Sequence, residues 1–166
     1  MLKRYCILFL IIGCVLSACE RDDICAANTP TTPLVQISFF DVVNRSNTKA
    51  INVNIREINS ERFISYTDET IISVPLRTDT TATTYIFTKN PGIEDAEEDP
   101  ENSDRITFTY NVNEVYIERA CGFKVTYNAL GVQPGASDDD DRWISSANVT
   151  NNIIVDDSTS HVSIFH

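Results

Sequence analysis

Apolar side chains recur at every second position in several short stretches of this chain, and this alternation is the feature that most restricts its fold. In 35–40, 51–56, 106–110, 123–127 and 162–164, β-branched and aromatic residues occupy one parity. A period of two puts such residues on one face of an extended strand, whereas a helix needs a period near 3.6. Weaker stretches of the same kind are 71–76, 84–88, 114–118, 143–150 and 153–155.

Polar segments separate these stretches. Asn111-Val112-Asn113 is predicted to be a turn, and Asn151-Asn152 a two-residue hairpin turn, because Asn tolerates positive φ. The acidic segments 90–104 and 130–141 are predicted to be solvated loops. Nine or ten short strands with such breaks predict an all-β fold, a single antiparallel β-sandwich with a barrel as the alternative. A length of 166 residues suits about one domain.

The N-terminus has a different composition from the rest of the chain. Lys3 and Arg4 precede an unbroken run of apolar residues over 5–16. This run is too short for a membrane-spanning helix, which needs about 20 residues. A short basic segment, an apolar run of this length and small residues after it are typical of a secretion signal.

Residues 16–19, Leu-Ser-Ala-Cys, resemble the lipobox of bacterial lipoproteins, in which the cysteine is lipidated and becomes the first mature residue. We therefore expect 1–18 to be a cleaved lipoprotein signal peptide and 19–166 a single all-β domain, anchored to the membrane by lipid on Cys19. Two or more acyl chains are needed for stable anchoring. The alternatives are an ordinary secretory signal with an incidental cysteine, or an uncleaved anchor.

Export and lipidation would leave two of the five cysteines free to pair. Cys6 and Cys14 lie in the predicted signal, and Cys19 would carry lipid. Cys25 and Cys121 remain, in a compartment where disulfides persist. We expect them to be bonded; two separate buried thiols are the alternative. The cysteine spacing contains no Cys-x-x-Cys motif, which argues against a catalytic dithiol.

The run Asp138, Asp139, Asp140 and Asp141 is the densest group of possible metal ligands. Carboxylates clustered in a loop are hard oxygen ligands of the kind that bind calcium. The run lacks the alternating acids, central Gly and distal Glu of an EF-hand loop. It is therefore a weak calcium candidate, and a solvated acidic loop is the preferred interpretation.

Three other residues invite a functional hypothesis. His161 and His166 are predicted to lie on one strand, five residues apart and facing opposite sides, so one metal ion would not bind both. Trp143 has the flat surface on which a sugar stacks, but a buried sandwich tryptophan is the preferred interpretation. We expect structural or surface roles for the two histidines, with no metal and no cofactor.

Charge and motif content narrow the class of function. The net charge of −11 becomes −13 once Lys3 and Arg4 are removed, and an acidic domain repels nucleic acid. No Gly-x-Ser-x-Gly elbow and no Gly-rich phosphate loop occurs. We expect a non-enzymatic binding or structural component of the cell envelope, with a protein or glycan partner. The alternatives are a small envelope hydrolase with a dispersed active site and an accessory subunit of an outer-membrane assembly.

Several segments together resemble a family of uncharacterised lipoproteins of Bacteroidota, with unknown function: 19–25, 29–41, 119–128, 142–144 and 161–166. The resemblance implies export and lipidation, and it supports pairing of Cys25 with Cys121. The charged residues 20–23 are similar to the stretch that sends some lipoproteins of this phylum to the outer leaflet of the outer membrane, so the resemblance implies an outer-membrane, surface-exposed location. Simple solvation beside the anchor is the alternative.

Overall fold

The structure is a computed structural model that describes residues 24–93, 99–135 and 141–166. The predicted signal peptide and Cys19 lie outside these ranges. No helix long and apolar enough to cross a membrane occurs within them. The described residues form strands, turns and loops, which confirms the all-β prediction.

The described residues contain nine strands. In chain order they are β1 (Val35–Phe40), β2 (Ile51–Glu57), β3 (Phe63–Glu69), β4 (Ile71–Val74), β5 (Ala82–Lys89), β6 (Asn102–Glu118), β7 (Gly122–Pro134), β8 (Ser146–Val149) and β9 (Val162–Phe165).

The strands form two sheets, one of order β4-β1-β9-β8 and one of order β3-β2-β5-β6-β7. Inward residues of both sheets belong to one hydrophobic core, with Phe39, Phe87, Phe108 and Tyr127 among its largest buried side chains. A core shared by two sheets is the arrangement of a β-sandwich. The prediction of purely antiparallel pairing is wrong at one place, because β1 and β9 pair in parallel.

Some predicted boundaries are wrong. Asn111-Val112-Asn113 is no turn but the middle of β6, because the local turn preference of Asn is weaker than pairing within the sheet. Part of the loop predicted over 130–141 is strand, since β7 runs to Pro134. The loop predicted over 90–104 ends earlier, because β6 begins at Asn102. Asn151-Asn152 is not a two-residue hairpin turn: it belongs to a longer connection between the paired strands β8 and β9, within which Ile154 forms a bridge with Tyr127.

Four tyrosine hydroxyls of the second sheet donate hydrogen bonds to main-chain carbonyls of residues 73–77, in and just after the edge strand β4. We call this set the tyrosine row. Burial raises the pKa of Tyr85 and Tyr127 to about 12, so the row stays protonated and donating at any physiological pH. The pairs are Tyr66 with Ser73, Tyr85 with Pro75, Tyr127 with Leu76 and Tyr110 with Arg77.

The described residues divide into two compact units. The larger contains 31–115 and 124–166 and holds the hydrophobic core. The smaller contains 24–30 together with 116–123, which is the end of the β6–β7 hairpin.

Candidate functional site

Cys25 and Cys121 form a disulfide within the smaller unit, 96 positions apart in sequence and with their Cα atoms 4.9 Å apart. Thr29 Oγ1 lies 3.4 Å from Cys121 Sγ and donates to it, because a disulfide sulfur has no proton to give. Glu118 Oε1 lies 2.9 Å from the same sulfur. Cys25, Glu118 and Cys121 come close enough to share a metal ion, but sulfurs bonded to each other are not thiolate ligands.

The structure covers little of the other predicted sites. Cys19, Asp138, Asp139 and Asp140 lie outside the described residues, so lipidation and the weak calcium site stay predictions. Asp141 is exposed, and its main-chain oxygen accepts a hydrogen bond of 3.0 Å from Asn102 Nδ2.

His161 is buried just before β9, and its imidazole is neutral. Its Nδ1 accepts the main-chain N–H of Gln36 at 3.0 Å. A main-chain N–H only donates, so this ring nitrogen carries no proton. Burial lowers the pKa of His161, partly opposed by the carboxylates of Asp156 and Asp157.

His166 and Trp143 are also buried. The His166 ring packs edge-on against the rings of Phe39 and Trp143, with 5.8 Å between centroids in each pair. The Trp143 Nε1–H donates to the Phe87 carbonyl at 3.2 Å. His161 and His166 lie just before and just after β9, an inner strand that is buried along its whole length. All three residues take part in packing.

The feature of the larger unit best suited to binding begins at a β-bulge. The pairing of β2 with β3 shifts between Ile51 and Val53, so that Thr67 and Asp68 together oppose Asn52. Asp68 has a φ of 56°, in the left-handed region that residues other than Gly seldom adopt. Bulges bend the strand that carries the extra residue and are common beside functional sites.

A cleft of about 510 Å³ lies at this bulge, on the outer side of the second sheet. This volume is within the range of small-ligand pockets. The described residues that line the cleft carry no charge, in a chain whose net charge is −11. They supply amides, hydroxyls and some apolar surface: Asn52, Asn54, Asn90, Ser65, Thr67, Tyr66, Pro91, Gly92 and Ile93.

Hydrogen bonds within the protein fix the orientation of the cleft amides. Asn52 Oδ1 accepts the Asp68 N–H at 3.0 Å, and Asn54 Oδ1 accepts the Ser65 hydroxyl at 2.7 Å. Within the described part of the chain, these bonds leave the NH₂ groups of Asn52 and Asn54 as available donors. Asn90 is oriented the other way: its Nδ2 donates to the Asp99 carbonyl at 3.1 Å, which leaves Oδ1 as an acceptor.

A smaller recess of about 100 Å³ adjoins the cleft, sharing Asn52 and Asn90 with it. Three of its charged side chains have protein partners: Lys89 pairs with Asp99, and Lys49 Nζ donates to the His166 main-chain oxygen at 3.2 Å. Burial acts to raise the pKa of Asp99, but hydrogen bonds from Lys89 and Asn90 lower it overall. The recess is too small for a sugar ring.

Fold and site together define a small all-β protein with one disulfide and an uncharged surface cleft. The chain belongs to a family of unknown function, DUF6452, whose model matches residues 50–166. Comparison with curated proteins and with solved structures gave no match. The matched residues include the asparagines of the cleft and Cys121 but not Cys25.

Sequence reasoning missed the cleft. Asn52 and Asn54 alternate with the apolar residues of β2, which identified them as outward-facing. The alternation gave no reason to connect them with Asn90, because that connection depends on the pairing of β2 with β5 and on the bulge. The strand β3 was not predicted at all.

Proposed function

We propose that this protein is an exported lipoprotein of the cell envelope, anchored through Cys19, whose cleft binds a neutral glycan without catalysing a reaction on it. The observation that carries the binding role is the uncharged, amide-rich lining of the cleft. The disulfide between Cys25 and Cys121 supports export, because such bonds persist in oxidising compartments.

The chemistry of the lining favours a hydroxyl-rich ligand. A sugar presents alternating donors and acceptors, which match the NH₂ groups of Asn52 and Asn54 and the Oδ1 of Asn90. Tyr66 donates its hydroxyl to the Ser73 carbonyl, so this hydroxyl is already used within the protein. An ionic ligand would find no countercharge among the described lining residues.

The same lining supports binding over catalysis. Amides and aliphatic hydroxyls neither gain nor lose protons near neutral pH, so they orient a ligand but do not act as general acid and base. A cleft lined by amides and hydroxyls can bind and orient a ligand through hydrogen bonds.

Glycan binding is tested with the unlipidated mature chain, Cys19→Ser, on an array of neutral and acidic oligosaccharides, followed by calorimetry on each sugar that binds. The double variant Asn52→Ala, Asn54→Ala removes two donors worth roughly 0.5–1.5 kcal/mol each, so affinity should fall about tenfold or more. Thr107→Ala is the matched control, since Thr107 pairs with Thr84 on the same sheet but does not line the cleft. Equal loss in both variants, or no binding of any neutral sugar, contradicts the proposal.

The anchor is tested by metabolic labelling with palmitate in a bacterium that processes lipoproteins. The wild-type chain should incorporate label, and Cys19→Ala should not. Equal labelling of the two, or an unmodified N-terminal peptide by mass spectrometry, would contradict lipidation of Cys19. Neither result would bear on glycan binding, which the array tests separately.

A further inference from the structure

Two exposed aromatic side chains lie at the end of the β6–β7 hairpin. Tyr116 is 59% exposed and Phe123 64% exposed, and their rings contact each other edge-on with centroids 5.3 Å apart. Ile24, in the same unit, is 76% exposed. Aromatic side chains have large apolar areas, and exposed groups of them mark surfaces that are covered by a partner or a membrane.

The disulfide connects this aromatic pair to the N-terminal segment. Cys121 lies two positions before Phe123, and its partner Cys25 lies six positions after Cys19. Six residues span roughly 20 Å at full extension. A lipid on Cys19 would therefore hold the hairpin end near the bilayer surface.

We propose that the end of the β6–β7 hairpin seats in the lipid–water interface, with the rings of Tyr116 and Phe123 entering it. The inference rests on the proposed anchoring through Cys19. It goes beyond anchoring because it assigns a second, non-covalent membrane contact to the smaller unit.

The chemistry of the hairpin end fits a lipid surface. Aromatic rings with a polar group, such as that of Tyr116, concentrate at the level of the lipid headgroups. Arg119, exposed in the turn between the strands, carries the donor geometry that pairs with phosphate. The tether keeps the bilayer at high effective concentration beside the pair, so even a weak contact would be populated.

The test places a fluorescent side chain at the hairpin end of the lipidated, full-length product. Phe123→Trp is reconstituted in phosphatidylcholine vesicles with and without bromine on the acyl chains, since bromine quenches indole only at contact. Phe63→Trp is the matched control, because Phe63 is 60% exposed and lies on β3 in the larger unit. The native Trp143 is buried and gives the same background in both variants.

We expect brominated lipid to reduce the emission of Phe123→Trp and to leave Phe63→Trp unchanged. No quenching of either variant, with acylation of Cys19 verified by mass spectrometry, overturns the hairpin contact while the anchor stands. Equal quenching of both also overturns it, because the lipid contact would then not be specific to the hairpin end. Absence of the acyl group together with absence of vesicle binding would refute the anchor itself, and the hairpin contact with it.

Discussion

Removing the disulfide should lower stability by an amount that follows from the spacing of its two cysteines. Cys25 and Cys121 are 96 positions apart, so the bond closes a long loop in the unfolded chain. The chain-entropy relation gives about 4.7 kcal/mol for a loop of this length at 25 °C. Residues 24–28 are exposed and would gain freedom in the folded variant, which brings the expected loss to about 2–4 kcal/mol.

The measurement is urea unfolding, followed by circular dichroism, of the unlipidated Cys19→Ser chain with and without Cys25→Ser and Cys121→Ser. The midpoint should move to lower urea in the serine variant. The dependence of the unfolding free energy on urea should steepen, because an unfolded chain without the crosslink exposes more surface.

Reduction supplies the control for this experiment. The chain with both cysteines, unfolded in the presence of a reductant, should give the same midpoint as the serine variant, since both lack the bond. A loss below about 1 kcal/mol, well under the typical range for a native disulfide, would refute the loop-entropy reasoning. A loss that appears on reduction but not in the serine variant would refute it equally.

Two further predictions concern buried polar groups. Tyr127→Phe leaves the Leu76 carbonyl without its buried donor and should cost about 1–3 kcal/mol in urea unfolding, whereas Tyr116→Phe, at an exposed position, should change little. Stability should also fall as the pH drops below 6.5, because burial lowers the folded-state pKa of His161 and His166 while the unfolded chain takes up protons at its ordinary pKa. Unfolding curves at pH 7 and pH 5 check the sign.

Controls for these two predictions use the same assay. If Tyr116→Phe were as costly as Tyr127→Phe, the loss would not come from the buried hydrogen bond. The loss of stability should begin at a higher pH than the one at which carboxylates with an ordinary pKa of 3.8 become protonated. His161→Gln should reduce the loss, because it removes one of the two groups with a lowered pKa. Stability that rises between pH 7 and pH 5 would contradict the argument, since over this range the unfolded chain takes up more protons at the two histidines than the folded protein does.

The sequence predicted those elements of the fold that have one buried and one solvated face. In β2 and β5 the apolar parity of the sequence is the buried parity of the structure. The edge strand β3 was not predicted because nearly all its residues are exposed, so it has no apolar side to detect. The parallel pairing of β1 with β9 joins segments more than a hundred residues apart, and no local pattern encodes such a partner.

Of the candidate sites, the sequence predicted the disulfide but not the cleft. Pairing of Cys25 with Cys121 followed from counting, because a signal peptide and a lipid would leave no other partner, and the structure agrees. The cleft did not follow, since it depends on a one-residue shift beside Asn52 and on Asn90 from the turn after β5. Register and bulges arise from contacts distant in sequence, which alternation alone does not specify.

The tyrosine row explains why the first sheet ends at β4. The edge of a sheet offers unpaired carbonyl groups to any passing chain, and this is how sheets grow into aggregates. Here hydroxyls from the opposite sheet already occupy the oxygens of Ser73 and Pro75, and the proline nitrogen has no hydrogen to offer a newcomer. A neighbouring chain therefore finds the Ser73 oxygen already bonded and, at Pro75, neither a free acceptor nor a donor, which disfavours growth of the sheet along this border.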